Sequence, residues 1–179
     1  MSLALLSFIV LSLFMIHEFD EIILVKPWIK QNQDHPAYQK EMFIARKSSY
    51  PSTESLALMI AEKFILAFLL LLVAILCQFS ELALAITICH TLHLLGHISQ
   101  VIKFRSLVPG GLTAVLTFPI LLVILAVYLS QNSVSWVLLI LLSILVMLAL
   151  LGNLLFLHKQ APTIHAWIYR ISKRIKEVS

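Results

Sequence analysis

An all-α fold, a polytopic membrane helix bundle of about five transmembrane helices, is predicted for this chain by three observations. Sixty per cent of its 179 residues are hydrophobic and only 12% are charged, whereas a soluble domain carries about twice that charge. The mean hydropathy is +0.98. Gly and Pro number four and six, so long unbroken helices are expected instead of a loop-rich fold. The formal charge of +4 carries no nucleic-acid signal, because the basic residues are scattered among short loops and a C-terminal tail. Cys77 and Cys89 make no ligand spacing with each other and read as apolar packing residues.

The first apolar run, Leu3–Ile16, lacks the basic leader and the small-residue cleavage site of a signal peptide. His17-Glu18-Phe19-Asp20-Glu21 and Ile22–Val25 follow it. Together, residues 3–25 supply the ~20 positions that a spanning helix needs. Lys26-Pro27-Trp28 opens a polar loop over 26–53, with Trp28 marking an interface. Within that loop, Pro36–Lys47 has the pattern of a short surface helix, with Pro36 in its first turn. Tyr50-Pro51-Ser52-Thr53 ends the loop and caps a second helix, about 54–79, which carries Glu62 and Lys63. A third helix, about 82–103, holds His90, His93 and His97. Pro109-Gly110-Gly111 breaks the chain before a fourth, about 112–129. A tight turn at Gln131-Asn132-Ser133 leads to a fifth, about 134–157.

Beyond it, Ile164, Trp167, Ile168, Ile171 and Ile175 recur at helical spacing opposite Arg170, Lys173, Arg174 and Lys176. That pattern predicts a C-terminal amphipathic interfacial helix on anionic lipid headgroups. The chain therefore divides into a transmembrane bundle, 1–158, and a basic amphipathic cytoplasmic tail, 159–179.

Charge sets the orientation. Lys26, Lys30, Lys40, Arg46 and Lys47 crowd the first loop, Lys103 and Arg105 flank the third connection, and Lys159, Arg170, Lys173, Arg174 and Lys176 mark the tail. The turns near 80 and 131 have none. Cytoplasmic loops are the ones enriched in Lys and Arg, so a multi-pass protein of the inner (cytoplasmic) membrane is expected, N-terminus outside and C-terminus inside.

Ionisable side chains at membrane depth are costly, ~2.5–3.5 kcal/mol each on insertion scales, and so have partners and a job. At 1.5 Å per residue, Glu21 lies ~6 Å and His17 ~12 Å from the cytoplasmic end of the first helix, and Glu62 is ~12 Å deep on the second. On the third helix His97, His93 and His90 lie at ~9, ~15 and ~20 Å, within the same slab. At ~100° per residue those three histidines fall within ~60° of one another, and His17, Asp20 and Glu21 share one face while Glu18 points elsewhere. Imidazoles at i, i+3 and i+7 facing carboxylates are how helical proteins build metal sites. The expected ligands are His17, His90, His93, His97 and Glu62, around a divalent transition metal, zinc ahead of iron. Glu21, with Asp20 nearby, is the expected general base or hydrogen-bonding partner of a ligand. The same residues also fit a hydrogen-bond network without metal, a salt bridge to Lys63, and, for Glu62, a purely structural role. Asn153 has a place in such a network, bonding a neighbouring helix.

The combination resembles the HXXEE-motif family of small prokaryotic integral membrane proteins. His17-Glu18-Phe19-Asp20-Glu21 matches the motif with Asp20 in place of its first Glu, a side chain one methylene shorter. The cluster His90, His93, His97 and the connection Arg105…Pro109-Gly110 also look like that family, and the likeness runs from residue 10 to about 125. The resemblance supports the site and names no reaction. From the residues, the expectation is a membrane-embedded metal-dependent hydrolase acting on a lipid or lipid-like substrate, since no Ser or Cys nucleophile sits at a matching depth. A di-iron oxidase or hydroxylase is the alternative. A non-enzymatic ion or proton transporter is another, disfavoured by the lack of an internal repeat. Reporter fusions test the topology: residues 40 and 175 should report from the cytoplasm, and residues 80 and 131 from outside. An external signal from the 26–53 loop overturns the orientation.

Overall fold

The computed structural model describes residues 1–40 and 51–178. Five α-helices make the bundle: α1 (Leu3–Asn32), α2 (Thr53–Leu76), α3 (Ser80–Phe104), α4 (Gly111–Gln131) and α5 (Trp136–Val178). Helices α2 to α5 are each long and apolar enough to cross a membrane. α1 carries the acidic motif and packs against α2, α3 and α4.

α3 is the hub. It touches every other helix, and half of its apolar span is buried, against 11–22% for the other three spans. Its buried face interleaves the small residues Ala83, Ala85 and Cys89 with Leu84 and Leu94, and the small ones let neighbouring helices approach closely. The outward faces of the bundle are leucine, isoleucine, valine and phenylalanine: Phe8, Ile23, Leu76, Val123 and Leu148 are all more than 60% exposed. Such a surface suits lipid and not water. Cys89 donates to the Ser143 carbonyl (3.5 Å), tying α3 to α5 in the packing role expected of it.

Helix starts follow the sequence signals. Ser2 and Ser52 cap α1 and α2, each side chain accepting from the backbone N–H three residues on. At the end of the bundle where α1 begins, Ser80 and Tyr128 share a 2.9 Å hydrogen bond. There Glu81 also accepts from the Ser135 N–H at 2.9 Å.

Two boundaries differ from expectation. α1 does not stop at residue 25 but runs through Pro27 to Asn32. Trp28, expected as an interface marker, is buried against Phe104 (ring centroids 4.9 Å) and Val108, and this packing holds the last turns helical despite the proline. Of the surface helix expected over 36–47, only the 3-10 turn Tyr38–Lys40 falls within the described residues. The second difference is α5, which continues as one helix of 43 residues across the boundary expected at residue 158. Pro162 costs a backbone hydrogen bond. Packing of Leu157, Ala161 and Ile164 onto Met59 of α2 carries the helix past it. Trp167 and Ile171, on the stripe expected to meet lipid headgroups, are left exposed.

At 1.5 Å per residue, spin labels at positions 140 and 170, in a background lacking Cys77 and Cys89, should sit about 45 Å apart. A markedly shorter distance by electron–electron resonance would mean that the tail folds back as a separate helix.

Candidate functional site

Four donors converge where α1 crosses α3. The His17 and His97 rings each bring Nε2 to 3.2 Å from Nε2 of His93. Glu21 Oε1 stands 2.8 Å from His97 Nε2 and 4.0 Å from His17 Nε2. All four ligand atoms lie within 4.8 Å of one another. The spacing explains the set: i, i+4 on α1 and i, i+4 on α3 stack each pair on one face.

The far ring nitrogens fix which nitrogen points inward. His97 Nδ1 donates to the Pro109 carbonyl (3.0 Å). His17 Nδ1 lies 3.1 Å from Thr113 Oγ1. That hydroxyl donates to Asp20 Oδ2 at 2.9 Å, so it accepts from His17. A neutral ring carries one proton; spent on Nδ1 it leaves the Nε2 lone pair for the centre, and at His97 the 2.8 Å contact of Nε2 with Glu21 Oε1 then needs a further proton or a cation between the two. Two such lone pairs, a third imidazole nitrogen and a carboxylate oxygen repel one another unless a cation or an extra proton lies between them. The 3.2 Å edges also match the about 3.3 Å ligand–ligand separation of a tetrahedral site with 2.0–2.1 Å metal–nitrogen bonds.

Gly110 is the floor. Its φ of +74° is left-handed, and a Cβ there would meet His17 Cε1 at 2.7 Å, His97 Nδ1 at 3.0 Å and Glu21 Cγ at 3.1 Å. As the N-cap of α4 it offers no side chain. Asp20 supplies the missing cap from α1, accepting from both the Thr113 N–H (3.2 Å) and its hydroxyl. Asp20 is thereby committed to α4 and stands outside the donor set.

Other expected site residues are placed apart. His90 lies three residues before His93, ~4.5 Å along the axis. Its ring stacks on His93 at 6.4 Å and edges against Phe14 at 5.5 Å. Its Nε2 is buried without a partner. Glu62 accepts from Asn153 across the α2–α5 contact (2.9 Å), as a structural carboxylate does. Glu21 stands among the donors themselves, where the sequence had suggested a base beside them. Glu18, read as pointing elsewhere, does leave this face, yet it is 1% exposed and has an unpartnered oxygen. The cost of burying any acid at this depth was the signal for it. Thr113 was legible only as the third residue of a helix that starts on glycine.

The helices and the cluster together define a membrane-type bundle with a histidine–glutamate centre. A family model described as "Protein of unknown function with HXXEE motif" matches residues 8–125, and the chain belongs to that family. No curated protein and no solved structure matches the chain.

Gly110→Ala should destabilise the protein by at least about 1–2 kcal/mol for the left-handed backbone alone. Gly96→Ala, where nothing lies within 4 Å of the new Cβ, should be neutral or better. Equal melting points for the two variants in detergent would remove Gly110 from its role as floor.

Proposed function

We propose that this chain is a membrane-embedded metal-dependent enzyme, a hydrolase acting on a lipid or another membrane-soluble substrate. The observation that carries the reading is the set of inward-facing Nε2 atoms of His17, His93 and His97 around Glu21. Three neutral imidazoles suit zinc, and in catalytic zinc sites three protein ligands leave a fourth position for water or substrate. A single carboxylate among three imidazoles favours one ion over a di-iron pair, which needs several carboxylates, and Asp20 and Glu62 are already hydrogen-bonded elsewhere.

In this mechanism His17, His93 and His97 would hold the ion, which would supply an activated water near neutral pH. Glu21 is the more accessible side, 20% exposed against 0% for His17 and 12% for His97. It sits at the mouth of the centre, positioned to take the proton of the attacking water. Asp20, through Thr113, holds the His17 ring, and the Pro109 carbonyl holds His97. Both oriented rings keep their inward lone pairs. The protein lies in the inner membrane with its C-terminus cytoplasmic, and the exposed Trp167 and Ile171 with Arg170, Lys173 and Arg174 meet anionic headgroups.

Protein purified without a histidine tag should carry near-stoichiometric zinc by elemental analysis, and chelation should lower its melting point. His93→Ala should strip the metal. Glu21→Gln should weaken metal affinity by no more than ~10–100-fold if Glu21 is the base and not an essential ligand. Two irons per chain would favour an oxidase. Metal-free protein, indifferent to chelation, would leave a hydrogen-bond network or proton relay.

A further inference from the structure

On the other side of His93, α1, α2, α3 and α5 line a partly open cavity of about 130 Å³. An engineered apolar cavity of about 150 Å³ stays dry and takes up benzene, so this one has room for a short run of hydrocarbon. Its wall is aliphatic, including Val10, Leu71, Ile86 and Leu150. The polar lining residues all sit toward one end. Glu18 is the last contributor on α1, His93 the last on α3, and Lys63 the first on the antiparallel α2. Leu151, 45% exposed, is part of the wall, so the α2–α5 side of the cavity is one side chain from the lipid face.

Two lining residues bring unmatched polar atoms. Glu18 Oε2 and His90 Nε2 are buried with no hydrogen-bond partner, on residues 1% and 7% exposed. Buried polar atoms are normally paired. A water needs two to four polar partners and could serve the polar end, but the aliphatic remainder calls for hydrocarbon.

We propose that this cavity binds a single unbranched aliphatic chain ending in a hydroxyl, with Glu18 and His90 bonding the hydroxyl. A hydroxyl offers one donor and two acceptor lone pairs, so one oxygen answers a carboxylate and an imidazole nitrogen together. A carboxylate head would instead set a second anion beside Glu18, with one cation, Lys63, at that end to serve both. His93 lines the cavity and also belongs to the four donors, so the hydroxyl end stops one side chain from the metal centre. That link to catalysis rests on the metal reading; the chain-binding site rests on the cavity and its two unmatched atoms.

The test uses full-length protein in detergent, photolysed with hexadecanol bearing a mid-chain diazirine and, separately, with matching hexadecane and hexadecanoate probes. Adducts are mapped by mass spectrometry. Hexadecanol adducts should concentrate on cavity residues such as Ala67 and Met147, exceed those of both other probes, and fall with unlabelled hexadecanol. Filling the cavity with Ala67→Phe from α2, or with Leu150→Phe from α5, should reduce them about tenfold with metal content unchanged. Glu18→Leu should erase the preference for alcohol over alkane. Equal labelling by alcohol and alkane, or adducts spread over lipid-facing Phe68 and Leu72 without competition, overturns the proposal. Metal-free protein that still selects the alcohol keeps this site and discards the metal reading. Zinc-loaded protein with no such selection does the reverse.

Discussion

Polar side chains inside a bundle with a hydrocarbon exterior have only one another to bond, and the organisation of this protein follows from that constraint. α1 brings four ionisable residues into the interior within five positions, and α3 brings three. None can turn to water without exposing backbone or unpacking the small-residue face of α3. The helices are set in an arrangement in which Glu21 reaches His97, and His17 reaches both His93 and Thr113. Lost burial at an outward leucine is a local matter. A lost partner in this network leaves a stranded polar group in low dielectric, a far larger penalty.

The connection between α3 and α4 carries a second conflict. A helix start wants a capping side chain, but the histidines and Glu21 crowd the N-cap of α4 so closely that only glycine fits. The chain resolves this by placing the cap on another helix. Asp20 does for α4 what Gly110 cannot, and its short side chain ends where the Thr113 N–H and hydroxyl begin. The same Thr113 hydroxyl orients His17. Packing, capping and ring orientation thus converge on three residues, only one of which lies in the motif.

Much of this was legible in the sequence, and the reasons differ by residue. Helix number and the meeting of His17 and Glu21 with His93 and His97 follow from hydropathy, loop charge and helical angle, which are properties of single helices and simple antiparallel packing. Axial rise placed His90 in the same slab, but one turn is enough to remove it from the centre, and a slab cannot resolve a turn. Glu62 shows the same limit: correct depth, but its Asn153 partner on α5 lies across a contact whose rotation no single helix reveals. The continuity of α1 past Pro27 and of α5 past residue 158 depends on tertiary packing, by Trp28 on Phe104 and by Leu157 and Ile164 on Met59. Local breaker signals pointed the other way and were overridden.

The borrowed cap also bears on how related chains diverge. A five-residue signature on α1 describes half of a device whose other half is the glycine and threonine opening α4. A Glu at position 20 would have to reach Thr113 with one methylene more, so its side chain would bend or the helix start would shift to keep both hydrogen bonds. An insertion in the connection after α3 would carry the start of α4 away from its cap while leaving every signature residue intact. In this chain, substitutions at positions 20, 110 and 113 should therefore be coupled, since all three meet at one helix start.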